Sequence, residues 1–157
     1  MKQEKKVDRE PFRTLTACCI TEESRVLLTD DEKNLIYEAN IANPPTVEVI
    51  SKTFKNPTDV FFIQEKPQHF LICDSLGIGR YYLSSRKTSS PVLKQISGPF
   101  KAALVRERKQ VWITDCENKT VVIFSLGGNK TKTIEHKFKE PTGIAFLHAN
   151  LRCCICL

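Results

Sequence analysis

Apolar and polar positions repeat along the chain in a fixed order. Three 15-residue windows align without a gap, and each runs as an apolar stretch, a Thr or Cys, an Asp, a polar turn and a second apolar stretch. The windows are RVLLTDDEKNLIYEA (25–39), HFLICDSLGIGRYYL (69–83) and QVWITDCENKTVVIF (110–124). Self-similarity at a fixed period is the mark of a repeat protein, so the pattern predicts a series of equivalent structural units.

Two markers give the period of the repeat. The aspartates that end the first apolar stretch of each window are 44 and 41 residues apart: Asp30, Asp74 and Asp115. The prolines that precede a further apolar stretch are 42 residues apart in both steps: Pro57, Pro99 and Pro141. A unit of 40-odd residues has room for four short strands and their turns.

Each unit is interpreted as four strands. In the second unit they are expected at 59–64, 69–74, 79–84 and 92–97, in stretches rich in β-branched and aromatic residues. Turn formers separate them, and no window has the 3.6-residue period of a helix. Four strands per 40-odd residues are typical of a β-propeller blade. The predicted fold is therefore all-β: a partial β-propeller of about 3.5 four-stranded antiparallel blades.

The boundaries follow from the same alignment. Residues 1–13 are predicted to be a charged leader, and 14–157 an incomplete propeller. Its units are placed at about 14–54, 55–97, 98–139 and 140–157, the last being partial. A ring needs at least four blades, so the chain is interpreted as a fragment or truncated product. The ring would be completed by missing sequence or by another chain.

The details of the repeat resemble the NHL family. EPTGIAFL (140–147) matches the Pro-x-Gly-Ile opening of that repeat, and HFLICDSLGIGRYYL matches its middle, with Arg80 at the family's arginine position. Ile36 and Val121 stand where that arginine is expected, and the first unit lacks the opening. The resemblance implies a non-catalytic binding or scaffold module for a protein or RNA partner.

The same resemblance bears on a parent protein and on an alternative. NHL propellers often follow a RING, B-box and coiled-coil region in tripartite-motif-type ubiquitin ligases. This sequence has no zinc-binding Cys/His signature, so ligase activity would belong to other sequence. The alternative is a fragment of a six-bladed, metal-dependent lyase or esterase-like enzyme. No repeated Glu, Asn or His at the innermost strands suggests such a metal site, and no cofactor is predicted.

The residues that could suggest catalysis have structural interpretations. Asp30, Asp74 and Asp115 each end a strand, where a carboxylate accepts hydrogen bonds from backbone N–H groups of the following turn. Cys73 and Cys116 flank that position without a nearby His, and are expected to be unreactive thiols. Residues 154–157 (Cys-Ile-Cys-Leu) fit a prenylation motif, but the repeat already explains them as the second strand of the fourth unit.

Charge is concentrated in one part of the chain. The net charge is +6, yet residues 1–85 carry 11 Lys+Arg against 13 Asp+Glu, while 86–139 carry 12 against 4. A basic patch on one sector is therefore expected. A protein is the first expected partner, and RNA is a second one, bound through the basic third repeat. The candidate polyanion-binding residues are Arg86, Lys87, Lys101, Arg106, Arg108, Lys109, Lys130 and Lys132.

The N-terminal residues give an expectation for the compartment. MKQEKKVDREPFR is charged throughout and has no apolar core of a signal peptide. No apolar run approaches the roughly 20 residues that a membrane helix requires. A cytoplasmic location without membrane contact is therefore expected.

Overall fold

A computed structural model describes residues 12–21, 25–41, 44–89, 96–127, 129–136, 138–147 and 152–156. These residues form fourteen β-strands and one turn of 3-10 helix, and no α-helix occurs among them. Three sheets have four strands each and a fourth sheet has two. Consecutive strands pair antiparallel within every sheet, which confirms the predicted all-β repeat.

The strand bounds show how closely the sheets correspond. The first sheet contains β1 (Leu15–Ile20), β2 (Arg25–Asp30), β3 (Leu35–Asn40) and β4 (Thr46–Ser51). The second contains β5 (Asp59–Ile63), β6 (His69–Asp74), β7 (Gly77–Tyr82) and β8 (Lys87–Ser89). The third contains β9 (Pro99–Val105), β10 (Gln110–Asp115), β11 (Thr120–Ser125) and β12 (Lys130–Glu135). The fourth contains β13 (Gly143–Leu147) and β14 (Arg152–Cys156).

Two of the strands predicted for the second unit differ from the observed ones by two residues or more. The last strand of the second sheet was expected at 92–97, but it is Lys87–Ser89. The cause is local: Arg86 adopts a left-handed conformation (φ 52°), which reverses the chain soon after β7. Residues 90–95 lie outside the described part. The third strand of the same sheet was expected at 79–84, but it is Gly77–Tyr82, two residues earlier.

The sheets pack face to face, and their first strands lie side by side. The innermost strands β1, β5, β9 and β13 are neighbours in that order, so we call the sheets blades one to four. One apolar cluster fills the space between blades one and two, and includes Leu27, Phe70 and Tyr81. Another fills the space between blades two and three. The core therefore lies between the sheets, which explains the near-continuous apolar runs of the inner strands.

Each described blade thus has two defined faces. The leading face looks toward the preceding blade: in blade two it carries Phe70 and Ile72, and in blade three Val111 and Ile113. The trailing face looks toward the following blade, and in blade two it carries Leu71. Because strand residues alternate, the two faces interleave along every strand.

The three repeated aspartates are buried, at 0–1% exposure. The carboxylate of Asp115 accepts hydrogen bonds from the backbone N–H of Asn118 (3.1 Å) in the following turn, as predicted. It also accepts from the N–H groups of Ser97 and Gly98 (3.3 Å each), in the connection that enters the same blade. Each aspartate therefore holds its turn and its blade entrance together.

The other two blades repeat this arrangement. Asp30 accepts from the N–H of Lys33 (3.0 Å) in the turn and of Arg13 (3.1 Å) in the entering chain. Asp74 accepts from the N–H of Leu76 (2.8 Å) and Lys55 (3.0 Å). The sequence spacing from entrance to aspartate is 17 to 19 residues.

The aspartate clamp predicts a large loss of stability for Asp115→Ala. The buried carboxylate would be lost, three backbone donors and the Asn118 amide would lose their acceptor, and we expect the free energy of unfolding to fall by about 3 kcal/mol. Urea unfolding followed by fluorescence of Trp112, the single tryptophan, measures this change. Glu117→Ala, an exposed position in the same turn, is the matched control and should change stability by under about 0.5 kcal/mol. Equal losses in the two variants would contradict the clamp.

Candidate functional site

The turns of the blades lie at two opposite ends because antiparallel hairpins alternate direction. Turns that join the first strand to the second, and the third to the fourth, lie at one end, which we call the turn face. Turns that join the second strand to the third lie at the other end, together with the connections between blades. In the second and third blades the described residues of the turn face are 64–69, 82–87, 105–110, 125–127 and 129–130.

The third blade presents the most compact group of cations on this face. Arg106–Arg108 form the single 3-10 turn between β9 and β10, and Lys109 follows in a left-handed conformation (φ 50°). The N–H of Lys109 donates to the carbonyl of Arg106 (3.0 Å). The N–H of Leu126 donates to the carbonyl of Lys109 (2.9 Å), so the two turns of this blade are joined. Arg106, Arg108 and Lys109 are exposed on this hydrogen-bonded base.

Arg80 fixes this group relative to the second blade. Its guanidinium, on β7, donates to the carbonyl of Leu126 (2.8 Å) in the β11–β12 turn of the third blade. The contact joins the second and third blades through a side chain of one and a backbone carbonyl of the other. The chain has Ile36 and Val121 at the corresponding places, so this polar contact between blades is made by Arg80 alone of the three.

The turn face is much more basic than the opposite end. In the second and third blades its described residues include seven Lys or Arg and two Glu. At the opposite end, counted with the connections that enter and leave those blades, the exposed described residues include four Lys and three Glu. Such an asymmetry makes the potential more positive at the turn face than at the opposite end. The basic residues of the turn face are Lys66, Arg86, Lys87, Arg106, Arg108, Lys109 and Lys130.

Six of the eight candidate residues therefore lie on the turn face. Lys66 was not among the candidates, because in sequence it lies outside the basic stretch and only the fold brings it to the others. It lines an open cavity of about 720 Å³ between blades one and two. The other lining residues are Arg25, Pro67, Gln68, Leu83 and Ser84.

Arg86 has an additional role at the edge of this face. Its guanidinium lies 2.8 Å from a carboxylate oxygen of Glu48 and 3.6 Å from one of Glu38, both in the first blade. Glu38 is buried (5% exposed), and it also pairs with Arg25 at 3.1 Å. Arg86 is thus already engaged by acidic side chains, and it contributes to joining blades one and two.

Lys101 lies away from the turn face. Its ammonium donates to the backbone carbonyls of Thr16 in β1 (3.1 Å) and of Thr58 just before β5 (2.8 Å), so it links β9 to the first and second blades. The side chain is partly buried there, which separates it from the basic residues of the turn face. Lys132 is exposed on β12, two residues beyond Lys130, and borders the turn face without belonging to a turn.

Cys73 and Cys116 are poorly suited to act as nucleophiles. Cys73 is fully buried, and burial raises the pKa of its thiol well above the ordinary value. The Cys116 thiol donates to the carbonyl of Pro141 (2.9 Å), and burial raises its pKa as well. Both thiols therefore stay protonated near neutral pH, in which form they are poor nucleophiles.

Potential metal ligands are also dispersed. Among the described residues, no three His, Cys, Asp or Glu side chains are placed to hold a metal ion. The enzyme alternative, which would need such a site, stays a prediction without a candidate centre in this part of the chain.

Comparison with known proteins addresses the fold. No protein-family model matches the chain, and no curated protein is significantly similar to it in sequence. A structure of a nidogen/laminin complex is similar with a TM-score of 0.77 and 14% identity, over 92% of this chain and 57% of that one. Hydrazine synthase of Kuenenia stuttgartiensis gives 0.69 and 8%, over 84% and 38%, and a streptogramin B lyase gives 0.65 and 13%, over 83% and 44%.

Identities this low show the fold alone. Together with the repeated four-stranded sheets, these similarities establish a β-propeller architecture. The chain spans about half the length of the structures it resembles. Within the described residues, no helix is long and apolar enough to cross a membrane.

The hydrogen bond between Asp59 of the second blade and Ala102 of the third predicts that folding stability depends on pH. The carboxylate of Asp59 accepts from the backbone N–H of Ala102 (3.0 Å), and burial raises its pKa above the ordinary value despite this bond and the nearby Lys101. The folded state therefore holds this proton more tightly than the unfolded state. The resulting stability is fully present below roughly pH 4 and is lost as the pH rises through the raised pKa.

We expect the unfolding free energy of the wild type, relative to Asp59→Asn, to fall between pH 4 and pH 7. The asparagine cannot ionise, so it lacks this dependence, while all other groups cancel in the difference. Urea unfolding of both proteins at several pH values measures it. A difference that is constant, or that grows with pH, would show that burial does not dominate at Asp59.

Proposed function

We propose that the chain is a non-catalytic binding module that presents the basic turn face of its second and third blades to an anionic partner. The observation that supports this most directly is the seven-to-two excess of basic over acidic residues on that face. The opposite end of the same blades has no such excess. The proposal accounts for the concentration of basic residues at one end of these blades, which the net charge of +6 does not describe.

The geometry of the face suits a polyanion. Arg106, Arg108 and Lys109 project from one short turn, and Lys130 follows the turn that is hydrogen-bonded to it. Closely spaced cations on a fixed base can neutralise successive phosphates and release their counterions. Arginine can also form paired hydrogen bonds to a phosphate. RNA is therefore the anionic partner we propose to test first, and an acidic protein segment is the second.

The family assignment belongs to the proposal as well. We propose an NHL-like propeller because EPTGIAFL (140–147) follows the repeat opening and Arg80 occupies the family's arginine position. The Arg80–Leu126 hydrogen bond supports a structural role for that arginine. If the parent is a tripartite-motif-type ubiquitin ligase, this chain would supply its binding part and not the transfer chemistry.

Neutralising the third-blade turn should weaken RNA binding. For the triple variant Arg106→Gln/Arg108→Gln/Lys109→Gln, we expect at least a tenfold loss of affinity for a single-stranded RNA oligonucleotide at low salt. The slope of log affinity against log salt should fall by about 2, because each phosphate contact contributes about 0.7 for single strands. Fluorescence anisotropy at several salt concentrations measures both quantities.

The control is Lys52→Gln/Lys55→Gln/Lys119→Gln. It removes the same charge from exposed positions at the opposite end, and Lys119 has the same left-handed conformation as Lys109. This variant should bind RNA with an unchanged slope apart from a small long-range effect. Equal losses in both triples would indicate a net-charge effect and contradict a specific face. Binding of polyglutamate but not RNA would indicate an acidic protein partner, and binding of neither would refute the proposal.

A further inference from the structure

A cleft between the first and second blades opens on the turn face. Arg25, at the start of β2, shares a strand face with Leu27 of the apolar cluster between these blades, and Leu83 packs against the same cluster. The cleft is therefore the outer end of the space between two blades of this chain. Its volume of about 720 Å³ is within the usual range of small-molecule pockets, roughly 300–1,000 Å³. The described lining residues are Arg25 from the first blade and Lys66, Pro67, Gln68, Leu83 and Ser84 from the second.

The first-blade wall carries a cation that a buried carboxylate holds in place. The guanidinium of Arg25 lies 3.1 Å from a carboxylate oxygen of Glu38, which is only 5% exposed. Glu38 also lies 3.6 Å from the guanidinium of Arg86, so two arginines share this one acid. The side chain of Arg25 remains 37% exposed and lines the cleft. An arginine fixed in this way suits an anion, because its rigid fork of N–H donors loses little freedom on binding.

The second-blade wall is held by hydrogen bonds to the turn between β5 and β6. The N–H of Leu83 donates to the carbonyl of Gln68 (3.3 Å), which joins the two turns of this blade. A ring nitrogen of His69 lies 2.7 Å from the carbonyl of Pro67. Among the described residues, Lys66 has no acidic side chain within ion-pair distance. Its charge is therefore available to a ligand.

The lining has the chemistry of an anion site. Its described part contains two cations, Arg25 and Lys66, and no acidic side chain. Gln68 and Ser84 add an amide and a hydroxyl that can donate further hydrogen bonds. A phosphate monoester matches this set, because it carries a charge of about −1.5 to −2 near neutral pH and three acceptor oxygens. A carboxylate would bring a single charge and two oxygens, and would leave part of the set unused.

The size and the apolar residues of the cleft indicate what the phosphate is attached to. A phosphate ion alone would fill only a small part of a volume of about 720 Å³. Pro67 and Leu83 provide apolar surface beside the two cations. A nucleoside would use both the remaining space and that surface, so phosphate monoesters of nucleotide size are the class that fits best.

We propose that this cleft binds the terminal phosphate of a nucleotide, with Arg25 and Lys66 on the phosphate and with Pro67 and Leu83 beside the nucleoside. Two sources present this group: a free nucleoside monophosphate and the phosphorylated end of an RNA chain. The second source would extend the proposed function, since Lys66 also belongs to the basic turn face on which the RNA backbone would lie. The first source needs no contact with the third blade, so the cleft can be tested separately from polyanion binding.

Calorimetric titration of the full chain with adenosine monophosphate tests the site. We expect saturable binding, and much weaker binding of adenosine, which lacks the phosphate. Lys66→Gln should weaken binding of the monophosphate by a factor of about ten, the size of one lost charged hydrogen bond, and Lys66→Arg should restore most of it. Lys52→Gln removes the same charge from an exposed position at the opposite end and should leave the affinity unchanged. A wild type that does not bind, or equal losses in the two glutamine variants, would overturn the proposal.

Two adjacent serines provide a matched control within the same turn. Ser84 lines the cleft, whereas Ser85 is exposed beside it and is not among the described lining residues. Ser84→Glu places a carboxylate in the cleft and should abolish measurable binding of adenosine monophosphate, while Ser85→Glu should largely retain it. Circular dichroism checks that both variants are folded. Equal losses in the two variants would indicate a long-range charge effect and contradict binding in the cleft.

Titrations with RNA identify the source of the phosphate. Fluorescence anisotropy compares one oligonucleotide that has a 5′-phosphate, a 3′-phosphate or hydroxyl groups at both ends. If an RNA end occupies the cleft, one of the phosphorylated forms should bind the wild type several-fold more tightly, and the gain should vanish in Ser84→Glu. Binding of adenosine monophosphate without any gain for phosphorylated RNA would assign the cleft to a free nucleotide.

The third-blade variant Arg106→Gln/Arg108→Gln/Lys109→Gln separates this proposal from the proposed function. It should lose RNA affinity and keep its affinity for adenosine monophosphate, because none of the three residues lines the cleft. An equal loss of both affinities would contradict a separate site. A wild type that binds the monophosphate but not RNA would refute the proposed function and support the site in the cleft.

Discussion

The buried aspartate at the end of each second strand is the interaction on which this architecture depends. A blade is held together by its ladder of strands, but its place in the row depends on where the chain enters it. Each aspartate holds that entrance and the turn of its own blade with one carboxylate. The repeat therefore keeps a buried carboxylate at the end of each second strand, where backbone N–H groups of the turn and of the entering chain satisfy it.

Much of this could be predicted from the sequence, and the reason is local. Strand and turn residues are recorded in stretches of fewer than ten residues, and their recurrence gives the period, so β6 was located to the residue and β7 to within two residues. The role of Asp115 in its own turn was equally local. Its bonds to Ser97 and Gly98 were not, because they depend on how the entering chain passes the end of the second strand. The early β8 was missed because its position follows from the left-handed conformation of Arg86, an arginine that carries no sequence signal for such a turn.

The candidate binding residues also divide into those that the sequence could identify and those that only the fold could identify. Charge counting found the basic segment, and the alternation of hairpins explains why most of its cations reach one end of the blades. It could not separate Lys101 from the others, because an ammonium bound to two backbone carbonyls looks the same in sequence as one in solvent. Nor could it include Lys66, whose neighbours on the face are distant in the chain. Similar sequence patterns thus lead to a surface role or to a structural one according to the strand that carries them.

The bridge made by Lys101 also has a consequence for the order of assembly. The bond from its ammonium to Thr16 joins residues 85 positions apart, across two intervening blade boundaries. A chain that grows from its N-terminus must therefore form its first two blades without this bond, and can fasten them only after the third has begun. Contacts of such long sequence separation are slow to close. The early blades are consequently at their least protected stage during synthesis, when their apolar faces are still open to other chains.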